Sequence, residues 1–280
     1  MPEPEIPVRR RYLISRLKAL RTSAGLTHAR VAETLGWDRG KLNRLEQGRF
    51  RRLNTADIMA LTSLYGATGE EAELLVQIAR DSKKVNWWYR YSDLFPGPFL
   101  ALEAEAEKCE EFAALVVPGL CQTRDYMQSL MASSLDVTVP RDEVEARLRV
   151  RAERQRSILE REHPPRLWYI LDESVLRRQV GGQDVMRGQI QHLLELGQRP
   201  TIDIQILPYE VGAHAATGFA FLNFYFAGTD RVTYIETDRD GLYVEESAQL
   251  ERYSLVFDRL QGSALSVEDS TRFLEDALHS

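Results

Sequence analysis

The chain is poor in the residues that carry most covalent and metal chemistry. It has two cysteines, Cys109 and Cys121, in 280 residues. A disulfide-built secreted fold is therefore not expected, and a reducing cytoplasm suits the composition better. The five histidines stand at 28, 163, 192, 214 and 279, with no H-E-x-x-H spacing and no paired cysteines, so no metal site is expected. There is no G-x-S-x-G elbow, no G-x-x-x-x-G-K-[ST] loop and no G-x-G-x-x-G turn, so neither a catalytic residue nor a cofactor is expected. No apolar run approaches the ~18 residues of a membrane span. The start, MPEPEIPVRRR, has no apolar stretch behind its basic residues, so a secretion signal is not expected either. Cys109 reads as half-buried and inert. The acidic run Glu103, Glu105, Glu107, Glu110 and Glu111 reads as a solvated face rather than an acid–base pair.

What is present is an uneven charge. The whole chain carries −6, yet residues 9–56 hold 13 Lys and Arg against Glu33, Asp38 and Glu46, a net of +10. Residues 1–80 sum to +5, which leaves −11 for the other 200. A basic amino-terminal segment on an acidic chain is an electrostatic footprint for a polyanion, but it needs a fold behind it.

The length suggests roughly two domains of about 150 residues. Residues 9–80 read as five short helices. Leu13, Leu17 and Leu20 define the first, and Gly25 ends it. Thr27 caps the second, Asp38 the third, and Asn54 or Thr55 the fourth. Gly69 precedes the fifth. Five such helices make an all-α domain. Residues 81–98 contain a polar linker and the aromatic WWYRYSDLFPGPF segment, whose prolines and glycine forbid a long helix. From 99 to 280 the pattern is α+β. A charged helix covers 141–162, a buried strand 166–172, a helix 183–196 and an alternating strand 201–207. Aromatic and β-branched runs at 219–226, 232–237 and 242–246 suggest an antiparallel meander, and two helices close the chain. An antiparallel sheet is expected overall.

The segment THARVAETLGWDRGKLNRLEQG fills every constrained position of two helices joined by a tight turn. Ala32 is small where the helices cross. Gly36 tolerates a positive φ. Val31, Leu35, Trp37, Leu42 and Leu45 supply the apolar inner faces. This is the pattern of a helix-turn-helix. With Leu42 and Leu45 inward, Arg39, Gly40, Asn43, Arg44 and Gln47 lie on the opposite face, and Arg39, Asn43 and Gln47 line up four apart. Arginine pairs with guanine and asparagine with adenine, so Arg39, Asn43 and Arg44 are candidate base readers, with Gly40 leaving room for close approach. Thr27, His28, Gln47, Arg49, Arg51 and Arg52 are candidate phosphate contacts.

On these residues the segment resembles the XRE-type (Cro/C1-repressor-like) helix-turn-helix family over about 12–68. The resemblance implies a pair between Arg21 and Glu46. The family usually has Gln at the position of His28, which is implied to contact phosphate. Residues 86–278 resemble a domain of unknown function found behind XRE-type helices in actinobacterial regulators. WWYRY, VVPGLCQTRDY, RLRVRAERQ, LDESVLRRQVGG and ILPYEVGAHA carry this likeness. Proteins of this layout are described as antitoxin-like and are often encoded beside a small partner protein.

Together these readings lead to the expectation of a sequence-specific regulator acting on a double-stranded DNA operator. One helix spans only about four base pairs, so a homodimer on two half-sites is expected. The carboxy-terminal domain is expected to bind a small protein encoded nearby; the alternative is a small-molecule sensor. Candidate contacts there are Trp87 and Trp88, Arg177 and Arg178 beside Gly181-Gly182, and His214. Each has a plainer reading. The tryptophans serve equally to dock one domain on another, and the arginines and His214 fit turn chemistry and a charged surface.

Overall fold

Short-range signals place the helices of the first eighty residues. In the computed structural model, which describes residues 8–38, 40–49, 54–81, 98–133, 141–226, 231–237 and 241–279, with backbone alone at 8–12, 81, 141 and 142, α1 runs Val8–Ser23 and α2 His28–Leu35. Helix α3 is Lys41–Glu46, α4 Thr55–Tyr65 and α5 Gly69–Asp81. Thr27 accepts the Arg30 N–H at the start of α2, and Asn54 accepts the Ala56 N–H at the start of α4. Left-handed glycines end both helices, Gly36 at φ 63° and Gly66 at φ 71°. Leu13 and Leu17 of α1, Val31, Leu42, Leu45, Ile58, Leu61, Tyr65, Leu75 and Ile78 form one buried core. This unit extends through α6, Phe99–Glu105, and residues 106–280 form a second compact unit.

The second unit is built on six strands in the order β3-β2-β1-β4-β5-β6, where β1 is Lys108–Ala113, β2 Arg166–Asp172, β3 Ile202–Leu207, β4 Phe221–Tyr225, β5 Arg231–Glu236 and β6 Gly241–Val244. The meander expected over β4, β5 and β6 is antiparallel. The expected antiparallel sheet is nonetheless corrected to a mixed one, because β1, β2 and β3 pair in parallel. The cause is connectivity. Helices α7 (Arg124–Ser133) and α8 (Arg141–Leu159) lie between β1 and β2, while α9 (Glu173–Arg177) and α10 (Gln183–Gly197) lie between β2 and β3. Long helical crossovers return the chain in the same direction. The near-continuous apolar run of RLWYILD is what a strand covered on both faces requires.

Two expectations fail, one for the acidic run and one for Cys109. Glu110 lies inside central strand β1 and is buried, with its carboxylate accepting from the Tyr225 hydroxyl at 2.5 Å and paired with Lys108. Glu103, in α6, is buried as well. Cys109 is buried rather than half-buried, and no disulfide joins it to Cys121.

One face of the sheet holds Phe112, Ile170, Leu207 and Phe221 under α11 (Ser247–Ser263), whose Phe257 and Leu260 are fully buried. Strand β3 is an edge. Its Ile206 backbone is covered by the Leu265 N–H and the Ser270 hydroxyl at the start of α12 (Val267–Leu278), which leaves less of that edge open to another chain.

The backbone of the loop Val117–Thr123 after β1 is held by three glutamines, Gln122 and Gln189 buried and Gln155 half-buried. Gln189 of α10 donates to the Cys121 carbonyl and accepts the Thr123 N–H, both at 2.7 Å. Gln155 of α8 donates towards the carbonyls of Gly119, Leu120 and Gln122. Gln122 turns back to the Val117 carbonyl and accepts from Arg151. Replacing Gln189 with leucine takes the side-chain acceptor from the Thr123 N–H and one donor from the Cys121 carbonyl, at a cost of about 1–3 kcal/mol. The urea midpoint of Gln189→Leu therefore falls with an unchanged slope; an unchanged midpoint would show that the clamp contributes nothing.

Candidate nucleic-acid interface

Helices α2 and α3 present the residues that could meet a duplex, and their geometry follows from the turn between them. Gly36 sits at φ 63°, ψ 32°, a conformation that costs a side-chain-bearing residue dearly. The Trp37 N–H then bonds the Ala32 carbonyl at 2.8 Å. Ala32 is buried at the crossing, and Leu42 and Leu45 point into the core. Asn43, Arg44 and Gln47 are consequently exposed on the far side of α3. Lys41 covers the Trp37 ring at 4.0 Å and pairs with Asp57 at 2.8 Å, which ties the start of α3 to α4.

A buried carboxylate fastens α1, α2 and α3 together. Glu46 is 4% exposed and accepts from Arg21 Nε at 2.7 Å and Nη2 at 3.1 Å. Arg21 also donates from Nη1 to the Leu26 carbonyl, so its fork spans the α1–α2 turn. The Glu46 hydrogen bond raises the Arg21 pKa above its ordinary value, against the opposing effect of burial. His28 places Nε2 3.0 Å from the second Glu46 oxygen. The histidine read as a phosphate donor thus spends one ring nitrogen inside the protein. The nearby Tyr65 hydroxyl has its pKa pushed up, chiefly by burial and then by the Glu46 charge.

The exposed face is organised by its own contacts. Gln47 donates to the Asn43 side chain at 3.0 Å. Arg44 Nη2 donates to Asp38 Oδ2 at 2.6 Å, and Asp38 Oδ1 accepts the Gly40 N–H at 3.0 Å. These bonds hold the Asp38 carboxyl below the usual range, the Gly40 N–H first and Arg44 second. Gly40 was read as leaving space for a base; the space beside its Cα is taken by the Arg44 guanidinium, whose Nη1 lies 2.6 Å from where a Cβ would stand. Arg49 is exposed just past α3. Thr27 uses its oxygen as the α2 cap. Arg39, Arg51, Arg52, Trp87 and Trp88 lie outside the described residues.

The carboxy-terminal candidates are not gathered into one site by any described contact. Arg177 Nε donates to Glu173 at 2.9 Å, and its guanidinium lies over the Phe273 ring. Arg178 is exposed at the end of α9. His214 packs edge-on against Phe112 with centroids 5.4 Å apart, while its Nδ1 accepts from the Ala216 N–H. Sequence reasoning missed Glu173, a buried carboxylate that accepts the Tyr209 N–H at 2.9 Å, and it took Asp38 only as a cap. Its neighbour Ser174 donates to the Ala114 carbonyl at 2.7 Å. The segments after β1, β2 and β3 are therefore laced together at the carboxyl ends of the parallel strands. Among the described residues no helix is long and apolar enough to cross a membrane, and no group of acidic, histidine or cysteine side chains is arranged to hold a metal.

Comparison with known families finds two regions, and the second begins at residue 97, so that it takes in α6, which packs with the first compact unit. Residues 13–75 match the model of a helix-turn-helix domain. Residues 97–276 match that of a domain of unknown function, DUF5753. No curated protein and no solved structure matches the chain.

Removing Glu46 leaves the Arg21 guanidinium without its buried partner, a change that costs about 3–5 kcal/mol. In Glu46→Ala, amide hydrogen exchange in α2 and α3 rises accordingly while β1–β3 keep their protection. Unchanged exchange in α2 and α3 would contradict the role given to the pair.

Proposed function

The chain belongs to the DUF5753 family and carries a helix-turn-helix domain ahead of that region, and from this premise we propose that it is a sequence-specific DNA-binding transcriptional regulator. The observation that carries the reading is the division of α3. Leu42 and Leu45 are buried, whereas Asn43 and Arg44, whose side chains suit base edges, and Gln47, a candidate phosphate contact, are exposed. The net +10 of residues 9–56 supplies the attraction to phosphate on a chain that is acidic overall. In this reading Asn43 and Arg44 address bases, Arg39 does so beside them, and Arg49, Arg51 and Arg52 hold the backbone, with Thr27 and His28 at the start of α2. The XRE-type resemblance supports the same assignment. The protein acts in the cytoplasm, as a homodimer, because a single α3 reads too short a site for useful affinity. It is not an enzyme.

The carboxy-terminal unit is proposed to bind a small protein that alters DNA occupancy, in an antitoxin-like arrangement. Besides the family resemblance, two exposed apolar side chains favour this. Leu115 and Tyr209 are 66% and 55% exposed on the segments after β1 and β3, either side of the Ala114–Ser174 and Glu173–Tyr209 hydrogen bonds. A small-molecule sensor is the second reading, since the carboxyl ends of parallel strands are where open α/β sheets take ligands.

The test is fluorescence anisotropy of the full-length protein with duplex from upstream of its own gene, beside a scrambled duplex, across a salt series. Preference for the native duplex by a factor of about 10³ or more is expected. Asn43→Ala lowers that preference by about 1–3 kcal/mol at one base position and leaves scrambled-duplex affinity as it was. Equal, steeply salt-dependent binding to the upstream duplex, the scrambled one and every member of a random duplex pool would defeat the proposal.

A further inference from the structure

We propose that Asp38 is the residue that makes Arg44 discriminate between bases: its carboxylate holds the guanidinium across Gly40, ready for a guanine and turned away from phosphate. The inference rests on the DNA-reading function above and adds a specificity-determining residue to it.

Three observations converge on Asp38. Its Oδ2 accepts from Arg44 Nη2 at 2.6 Å. Its Oδ1 accepts the Gly40 N–H at 3.0 Å, so the carboxylate is anchored to the backbone and cannot simply follow Arg44. The third is the missing side chain at Gly40. A Cβ there would stand 2.6 Å from Arg44 Nη1, so only glycine lets the guanidinium lie where it does. Gly40 itself has φ −87° and ψ −15°, a backbone any residue adopts. Its glycine is therefore explained by space, not by conformation.

The consequence for recognition is chemical. An unrestrained arginine near a duplex is drawn to phosphates, which are everywhere and carry no sequence information. Asp38 changes that in two ways. It neutralises Arg44 locally and repels the backbone, which weakens contacts of the sequence-blind kind. It also takes a single N–H of a fork with five, which leaves the others aimed for the paired O6 and N7 acceptors of guanine. Preorganising the fork reduces the side-chain freedom lost on binding. The acceptor expected opposite Arg44 is a guanine in the major groove.

The experiment compares full-length wild type with Asp38→Asn, Gly40→Ala, Arg44→Ala and the Asp38→Asn/Arg44→Ala double variant. Each is titrated into the duplex that wild type selects from a random pool and into a scrambled duplex, with melting curves run on every variant. Asp38→Asn is expected to bind the scrambled duplex more tightly and the selected one no more tightly, so that the affinity ratio falls about tenfold or more. Its salt dependence on scrambled DNA steepens by about one released ion, because Arg44 becomes a phosphate contact. Gly40→Ala leaves the fold intact and lowers the ratio in the same direction by displacing the guanidinium. With Arg44 already gone, Asp38→Asn leaves the ratio unchanged. The proposal is overturned if Asp38→Asn keeps the wild-type ratio, or lowers it equally when Arg44 is absent, or if Gly40→Ala discriminates as well as wild type. A wild type that selects no duplex at all would instead remove the DNA-reading function, and the two failures are told apart by that control.

Discussion

One buried carboxylate holds the helix-turn-helix in shape. Glu46, at the end of α3, receives both arms of the Arg21 fork and the His28 ring nitrogen. A lone charge in that position would be costly to bury; paired and hydrogen-bonded, it becomes a directional lock. Apolar packing of Leu42 and Leu45 draws α3 against the core and sets which face it buries. The Arg21 fork narrows the rotation that remains, because two parallel hydrogen bonds constrain orientation as well as distance. The exposed row of Asn43, Arg44 and Gln47 inherits its direction from that constraint.

The second unit uses the same device with neutral groups. The Val117–Thr123 segment crosses from β1 towards α7 with its backbone groups turned inward, and Gln122, Gln155 and Gln189 satisfy them. Farther along, Glu173 and Ser174 bind the segments that follow β3 and β1. The motifs VVPGLCQ, LDES and ILPYE, separated in the chain, meet at one edge of the parallel strands. Their spacing is explained by mutual support, and the surface they jointly hold in place is the one that exposes Leu115 and Tyr209.

Legibility in the sequence tracked how local each determinant is. Thr27, Ala32, Gly36, Leu42 and Leu45 act within a few residues of their position, and the helix-turn-helix could be read from them. The meander of β4, β5 and β6 could be read for the same reason, as neighbouring strands with short turns. Strand β1 could not. KCEEFA carries two glutamates, and the partner that makes Glu110 tolerable inside the sheet, Tyr225, is 115 residues away. Missing β1 hid the parallel half of the sheet and the burial of Cys109. In the candidate interface the residue types on α3 were legible, but the use of Gly40 was not. Its purpose is visible only once the Arg44 side chain is seen folded over it onto Asp38.

The most direct test of the central claim, that the locked α2–α3 unit is the surface that meets DNA, is hydrogen–deuterium exchange of the full-length protein with and without the duplex it selects. The account predicts that protection on binding is concentrated at the start of α2, around Thr27 and His28, and along residues 40–49. Protection confined to residues 106–280, with α2 and α3 exchanging as in the free protein, would contradict it.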